Sequence, residues 1–176
     1  VATVPEPDCW LSSEMEPRAS DIEGWGLFAR VELPADALVA RLGGRLVADD
    51  ELRALFADPA TGYVDTVSVG DGVNLVLPPG SPLHWGNHSC EPNLWWEDPY
   101  ALRTRHAVPA GAELTLDYGT VTDDAGYELA CRCGTASCRG TVTGTDWRRP
   151  ELRAVYGDHW VPVLRERIAA AARSRP

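Results

Sequence analysis

The chain has 176 residues, with 26 acidic against 16 basic side chains and a formal charge of −10. Every basic residue among those sixteen is arginine and none is lysine, so the surface opposes nucleic-acid phosphates and anionic membranes and favours cationic partners. The length suits one domain with a substantial core. No apolar run approaches the roughly 18 residues of a membrane span, and no basic-then-apolar leader points to secretion.

In chain order, residues 1–17 contain Pro5, Pro7 and Pro17 among polar residues and predict an extended arm. From Trp25 to Leu46, apolar runs broken by Pro34-Ala35-Asp36 and Gly43-Gly44 predict strands joined by turns. Asp49 to Phe56 reads as a short helix, with Asp49 or Asp50 as N-cap and Leu52, Leu55 and Phe56 on one face. Tyr63 to Val69 alternates, Gly70-Asp71-Gly72 turns, and Val73 to Leu77 returns, which is a hairpin pattern closed by Pro78-Pro79. A second strand pair is expected at Leu94 to Trp96 and Tyr100 to Thr104, and a further strand at Glu113 to Leu116 after the Val108 to Gly111 turn. Asp123 to Gly126 reads as a loop. Beyond it, Leu152, Val155, Tyr156, Val163, Leu164 and Ile168 fall at helical spacing, in a stretch rich in good helix formers.

The cysteines carry the first chemistry. Cys131, Cys133 and Cys138 form a Cys-x-Cys-x4-Cys pattern, and Cys90 lies about forty residues upstream. Four thiolates are the usual complement of a tetrahedral structural zinc site, the other reading being four unconnected thiols. The fifth cysteine, Cys9, stands apart as a spare thiol. An odd count with close spacing suits metal better than disulfides, which places the chain in a reducing compartment, cytoplasmic or nuclear.

Around these cysteines run three further segments: Gly24-Trp25-Gly26, Asn87-His88-Ser89-Cys90-Glu91-Pro92-Asn93 and Glu113-Leu114-Thr115-Leu116-Asp117-Tyr118. Together with the cysteine cluster, and over residues 22–140, they resemble the SET-domain protein lysine methyltransferases with a post-SET zinc-binding cluster. The resemblance implies a mainly β fold of short strands in small sheets. It also implies a threaded, pseudoknot-like C-terminal segment, a post-SET zinc site and a helical C-terminal appendage. Residues 1–17 are then an N-terminal arm, 18–120 the SET domain, 121–145 the post-SET segment and 146–176 a helical extension.

What the resemblance implies for function is methyl transfer from S-adenosylmethionine to the ε-amine of lysine. Gly24, Trp25, Gly26, Asn87 and His88 match cofactor contacts, with Arg132 placed beside them; Arg132 and Arg139 also offset the negative charge of a four-thiolate zinc. Where the family often carries Arg-Phe-Ile, this chain has His84-Trp85-Gly86, so His84 stands in for an arginine toward the cofactor carboxylate. Tyr118 matches the catalytic tyrosine, Tyr63 a second active-site tyrosine, and Leu116 the position that tunes how many methyls are added. The expected partner is a lysine-containing, basic protein or peptide, with no nucleic acid and no membrane. The alternatives are the same fold acting on a non-protein or natural-product amine, or an inactive binding module. A zinc-ribbon nucleic-acid binder is opposed by the acidic balance.

Overall fold

The computed structural model describes residues 4–173; residues 1–3 of the expected arm and 174–176 of the expected extension lie outside the described residues. The strands are β1 (Trp10–Leu11), β2 (Met15–Ala19), β3 (Trp25–Ala29), β4 (Leu38–Arg41) and β5 (Arg45–Ala48). After helix α1 (Asp49–Ala57) follow β6 (Thr66–Gly70), β7 (Val73–Val76), β8 (Asn87–His88), β9 (Leu94–Asp98), β10 (Ala101–Thr104) and β11 (Glu113–Leu116). The chain ends with β12 (Glu128–Ala130), β13 (Thr141–Thr143), α2 (Pro150–Tyr156) and α3 (Pro162–Arg173).

Among the described residues these form four small sheets, ordered β1-β4-β10-β9, β2-β3-β11-β8, β5-β7-β6 and β12-β13. The expected hairpin is β6 and β7, with a bulge between Ser68 and Gly70. Its first strand starts at Thr66 rather than Tyr63, which leaves Tyr63 to Asp65 irregular. The expected pair near Pro99 is β9 and β10.

Two neighbouring motifs meet in β8 and β11, which pair in parallel with Thr115 opposite Asn87 and Leu116 opposite His88. Asn93 completes the clasp: its Nδ2 donates to the Glu113 carbonyl (2.7 Å) and its Oδ1 accepts from Thr115 N (2.9 Å). Strand β11 is thus enclosed between β3 on one side and the 87–93 loop on the other.

The stretch read as an arm is extended but not free. Pairing of β1 with β4 and of β2 with β3 stitches it into two sheets. Helix α1 also departs in detail. Its N-cap is Ala48, because Asp49 instead accepts from Asn74 Nδ2 (2.8 Å) and Asp50 from the Glu51 amide (2.9 Å). Three acidic residues in its first turn favour the helix dipole. None of its residues is buried; the face with Leu52 and Phe56 borders a cavity rather than the core.

The core is built from alternating inward positions such as Leu27, Val39, Leu75, Trp96, Leu102 and Leu114. The C-terminal helices join it. Proline opens each of them, the residue whose fixed φ and missing N–H suit the first helical turn. Gly157 at φ 54° breaks the chain between them. Tyr156, Val161, Val163 and Leu164 are among the most deeply buried side chains, so the tail is part of the domain.

Candidate active site and metal centre

Cys131 to Cys138 form a tight turn between β12 and β13, closed by Cys131 N donating to the Gly140 carbonyl (2.8 Å). This brings Cys131, Cys133 and Cys138 to Cys90, just after β8, with all four sulfurs within 4.8 Å of one another. A tetrahedral thiolate site with metal–sulfur bonds of about 2.3 Å has sulfurs about 3.8 Å apart. The Cys90 to Cys131 separation is 3.7 Å. Main-chain donors face the sulfurs, from Arg139 N to Cys90 (3.3 Å) and from Cys133 N to Cys131 (3.4 Å). Burial pushes the Cys90 and Cys131 thiols up, whereas at Cys133 hydrogen bonds from Thr135 and the main chain outweigh burial and bring the thiol down to about 6. Cys9 lies elsewhere, half-buried against the main chain of Gly43.

His88 ties this cluster to the β11 turn. Its Nδ1 accepts from the Tyr118 amide (3.1 Å), which fixes the proton on Nε2, and Nε2 faces Cys90 Sγ at 3.4 Å. Burial lowers its pKa against the pull of Asp117, so the ring is neutral. Beside it lies a buried ionic knot. Arg139 binds Asp117 through two nitrogens at 2.6 Å each and stands 3.2 Å from Asp146 Oδ2. Tyr156 of α2 donates to Asp117 Oδ2 (2.7 Å), and Gly119 N donates to Oδ1 (2.9 Å). Burial alone would raise the Asp117 carboxyl; the Arg139 guanidinium and the Tyr156 hydroxyl outweigh it and hold it below the usual range.

On one flank of this turn lies the Gly24–Gly26 loop. Gly24 sits at φ 49°, a conformation that disfavours side chains, with open space around it. Gly26 serves a different end: a Cβ there would come within 2.2 Å of Glu113 Oε1, so its bareness admits Glu113. Trp25 is 56% exposed with Trp85 beside it at 6.3 Å, which rules out core packing for its ring. Asn87 Nδ2 is surrounded by acceptors: Glu113 Oε1 (2.8 Å), the carbonyls of Trp25 (2.9 Å) and Glu23 (3.2 Å), and Ser20 Oγ (3.1 Å). Such a convergence suits a cationic donor group. Arg132 reaches across from the cysteine turn to Glu23 Oε2 (2.6 Å).

On the other flank opens a cavity of about 740 Å³ lined by Tyr63, Asp65, Leu116, Tyr118, Tyr127, Gly86 and the exposed face of α1. The Tyr118 hydroxyl donates to the Gly86 carbonyl. Its phenol is pushed up by burial and by Asp65 nearby, so it stays a neutral donor. Gly86 borders the cavity, and the next residue, Asn87, faces the Gly24–Gly26 loop. Tyr118 therefore stands at the junction of the two flanks. Tyr63, largely exposed at the rim, sets its ring edge-on to His84 at 5.6 Å. His84 turns to this side, with Nδ1 3.1 Å from Asp65 Oδ2; the neighbour that reaches the Gly24–Gly26 loop is Trp85.

The SET domain family model matches residues 24–119. The chain belongs to the SET domain family. Among its relatives, histone-lysine N-methyltransferase SETD2 of Mus musculus is 31% identical over 157 residues, covering 82% of this chain and 6% of that protein. Histone-lysine N-methyltransferase ash1 of Drosophila melanogaster is 27% identical over 147 residues, covering 76% of this chain and 6% of that protein. The chain thus spans a small fraction of the length of these relatives. The methyltransferase domain of human histone-lysine N-methyltransferase SETMAR superposes with a TM-score of 0.61 at 22% identity, over 75% of this chain and 58% of that one. The SET fold is shared.

Several contacts of this SET domain carry no signal in the sequence. Asp117 lies in a motif, Arg139 follows the last cysteine and Tyr156 falls at helical spacing, but nothing in the sequence joins them to one another or to Asp146 before the fold brings them together. Tyr127, whose phenol burial pushes up to about 12, and Asp65 gain meaning only as cavity walls. A weak hint existed for Arg139, which directly follows the last cysteine of the cluster.

Proposed function

We propose that this SET domain transfers a methyl group from S-adenosylmethionine to the ε-amine of a lysine in a protein or peptide. The observation that carries the reading is the Tyr118 hydroxyl at the inner end of an apolar cavity, with the Gly24–Gly26 loop and Asn87 on its far side. A lysine stem fits the apolar wall of Leu116, Leu77 and Val67, and its head then reaches Tyr118.

The acceptors gathered around Asn87 suit the amine of a bound amino-acid moiety, and the exposed Trp25 offers an apolar face. Gly24 and Gly26 are assigned to the same cofactor, with His88 acting from behind through the Tyr118 turn and Arg132 by closing the cysteine turn onto Glu23. His84 contributes from the cavity side. The chemistry that S-adenosylmethionine supplies when bound is a methyl group on a sulfonium, open to attack by a neutral amine. Tyr118 and the Gly86 carbonyl orient that amine, and alignment of this kind provides much of the rate. Leu116 brings no hydroxyl to hold a water beside the amine, which leaves room for an amine already methylated.

The four cysteines fit zinc in number, donor type and spacing. Its part is geometric: Cys90 precedes β9 and the other three hold the post-SET turn, so the ion would lock that turn against both flanks. With a charge of −10 and Asp49, Asp123 and Asp124 along the cavity, the favoured substrate is a lysine in a basic segment, bound more weakly as salt rises.

The test is mass spectrometry of peptides incubated with isotopically labelled S-adenosylmethionine, beside Tyr118→Phe. Wild-type protein is expected to label lysine. The variant should keep cofactor binding in calorimetry yet turn over far more slowly, because the hydroxyl acts mainly in the transition state. Cofactor binding without label on any amine would move the reading to an inactive binding module.

A further inference from the structure

Asp65 and His84 have no role in the family resemblance that explains their pairing. Asp65 lies just ahead of β6, on the cavity wall that also holds Leu116 and Tyr118. Its side chain is 27% exposed and that of His84 is 16% exposed. A carboxylate kept in a largely apolar wall needs a reason, since desolvating it costs free energy that a single imidazole offsets only in part. Burial indeed pushes the Asp65 carboxyl up, against the pull of His84.

Around Asp65, the cavity also carries the carboxylates of Asp49, Asp123 and Asp124, and the Thr66 amide bonds Asp65 from its own strand. Tyr63 comes from its own loop, His84 from the turn at Pro82–Trp85, and Tyr118 from the turn after β11; both phenols are pushed up and neutral. Tyr127 lines the same cavity and is likewise neutral. Arg53 and Arg167 also border it, and Arg167 is engaged by Asp123 and Asp71. With His84 and the Thr66 amide as its donors, Asp65 still has lone pairs to spare on the cavity wall that it shares with the phenol expected to orient the substrate nitrogen.

We propose that Asp65, held by His84, accepts the proton that a lysine ε-ammonium must lose inside this cavity. This step rests on the methyltransferase reading of the same site. One N–H bond of the ammonium breaks, its electron pair stays on nitrogen, and the proton forms an O–H bond on Asp65. His84 donates from Nδ1 to Oδ2 throughout and is a positioning residue: it aims the free oxygen and tempers the carboxylate's charge. The neutral amine keeps its lone pair for the methyl carbon, and Asp65 returns its proton to solvent once the product departs. In water the step is steeply uphill, with reference pKa values of about 10.4 for lysine and about 3.9 for aspartate. Inside the cavity, desolvation lowers the first and raises the second, working against the mutual attraction of the two charges.

The test has two readouts. Methyl transfer to a basic lysine peptide is followed from about pH 6 to about pH 10 in wild type and Asp65→Asn, a near-isosteric change. Near neutrality the variant should be slower by roughly 100-fold or more. The deficit should close as pH nears the lysine value of about 10.4, where solution removes the proton instead. In the second readout, fluorescence anisotropy without added cofactor compares a lysine peptide with its norleucine isostere. Wild type should bind lysine roughly tenfold tighter, as a charge-assisted hydrogen bond gives, and Asp65→Asn should bind the two alike.

The wild-type peptide preference needs no folded variant, and its absence alone overturns the proposal. So does a variant deficit that stays constant across the pH range, which assigns Asp65 a structural role. Lysine preference with no methyl transfer by wild type under any condition removes the methyltransferase reading and the proton step with it. Normal transfer by both proteins at every pH removes the proton step alone.

Discussion

Replacing Tyr156 by phenylalanine removes one buried oxygen and keeps the shape of the ring. Tyr156 is 2% exposed, and its hydroxyl donates to Asp117 Oδ2 at 2.7 Å. Phenylalanine fills the same space, so no cavity term arises. The loss is one hydrogen bond to a charged buried acceptor, about 1.5–3 kcal/mol. In a domain of this size that is a fall of about 3–12 °C in Tm. Asp117 keeps Arg139 and the Gly119 amide, so the variant folds. The pH dependence follows from the direction of the Asp117 shift. Burial pushes the carboxyl up, but Arg139 and Tyr156 together hold it below its usual value. A group depressed in the folded state contributes stability above its unfolded pKa of about 3.9 and loses it as pH falls through the lower folded value. The difference between wild type and variant is thus steady from neutrality to about pH 5 and shrinks below about pH 4. Urea unfolding of both proteins, followed by tryptophan fluorescence at each pH, reads the difference directly. Equal midpoints at neutral pH, or a gap that widens in acid, would refute this account of the knot.

Metal analysis of wild-type protein purified without chelators should give about one zinc per chain, and Cys133→Ser should lose it along with thermal stability; metal-free wild type with normal stability would contradict the assignment. Leu116→Tyr should narrow the cavity and supply a hydroxyl for a water, so intact-mass analysis should show fewer methyls per lysine than wild type, which passes the first methyl. Gly26→Ala forces a methyl into Glu113, at 2.2 Å from its carboxylate oxygen, and should cost about 1–3 kcal/mol in thermal unfolding while weakening S-adenosylmethionine binding in calorimetry.

Local signals in the chain translated well where the physics is local. Alternation and a Gly-Asp-Gly turn located the β6–β7 hairpin, and cysteine spacing located three members of the cluster. Motif order added Cys90. What stayed hidden depends on long separations: Asp117 meets Arg139 22 residues later and Tyr156 39 residues later. Arg139 does not differ in type from a surface residue, and the helical spacing of Tyr156 does not say what its hydroxyl meets. Strands β12 and β13 hold three residues each and pair because the cysteine turn folds them together, so no alternation could announce them. The apolar face of α1 was visible, but periodicity cannot tell a core from a cavity wall. His84 matches a cofactor position by its place in a motif, and no motif announces that its ring also meets Asp65.

The family match ends at Gly119, yet the hydrophobic interior runs on through Leu152, Tyr156, Trp160, Val161, Val163 and Leu164. The segment that the family model matches is therefore smaller than the hydrophobic core it belongs to. A fragment cut at residue 119 would lay bare Trp96, whose indole nitrogen bonds Thr120 Oγ1 (3.1 Å), and would strip Asp117 of Arg139 and Tyr156 together. The segment before that residue carries the buried Asp117 carboxylate, and the later third of the chain supplies the partners that satisfy it.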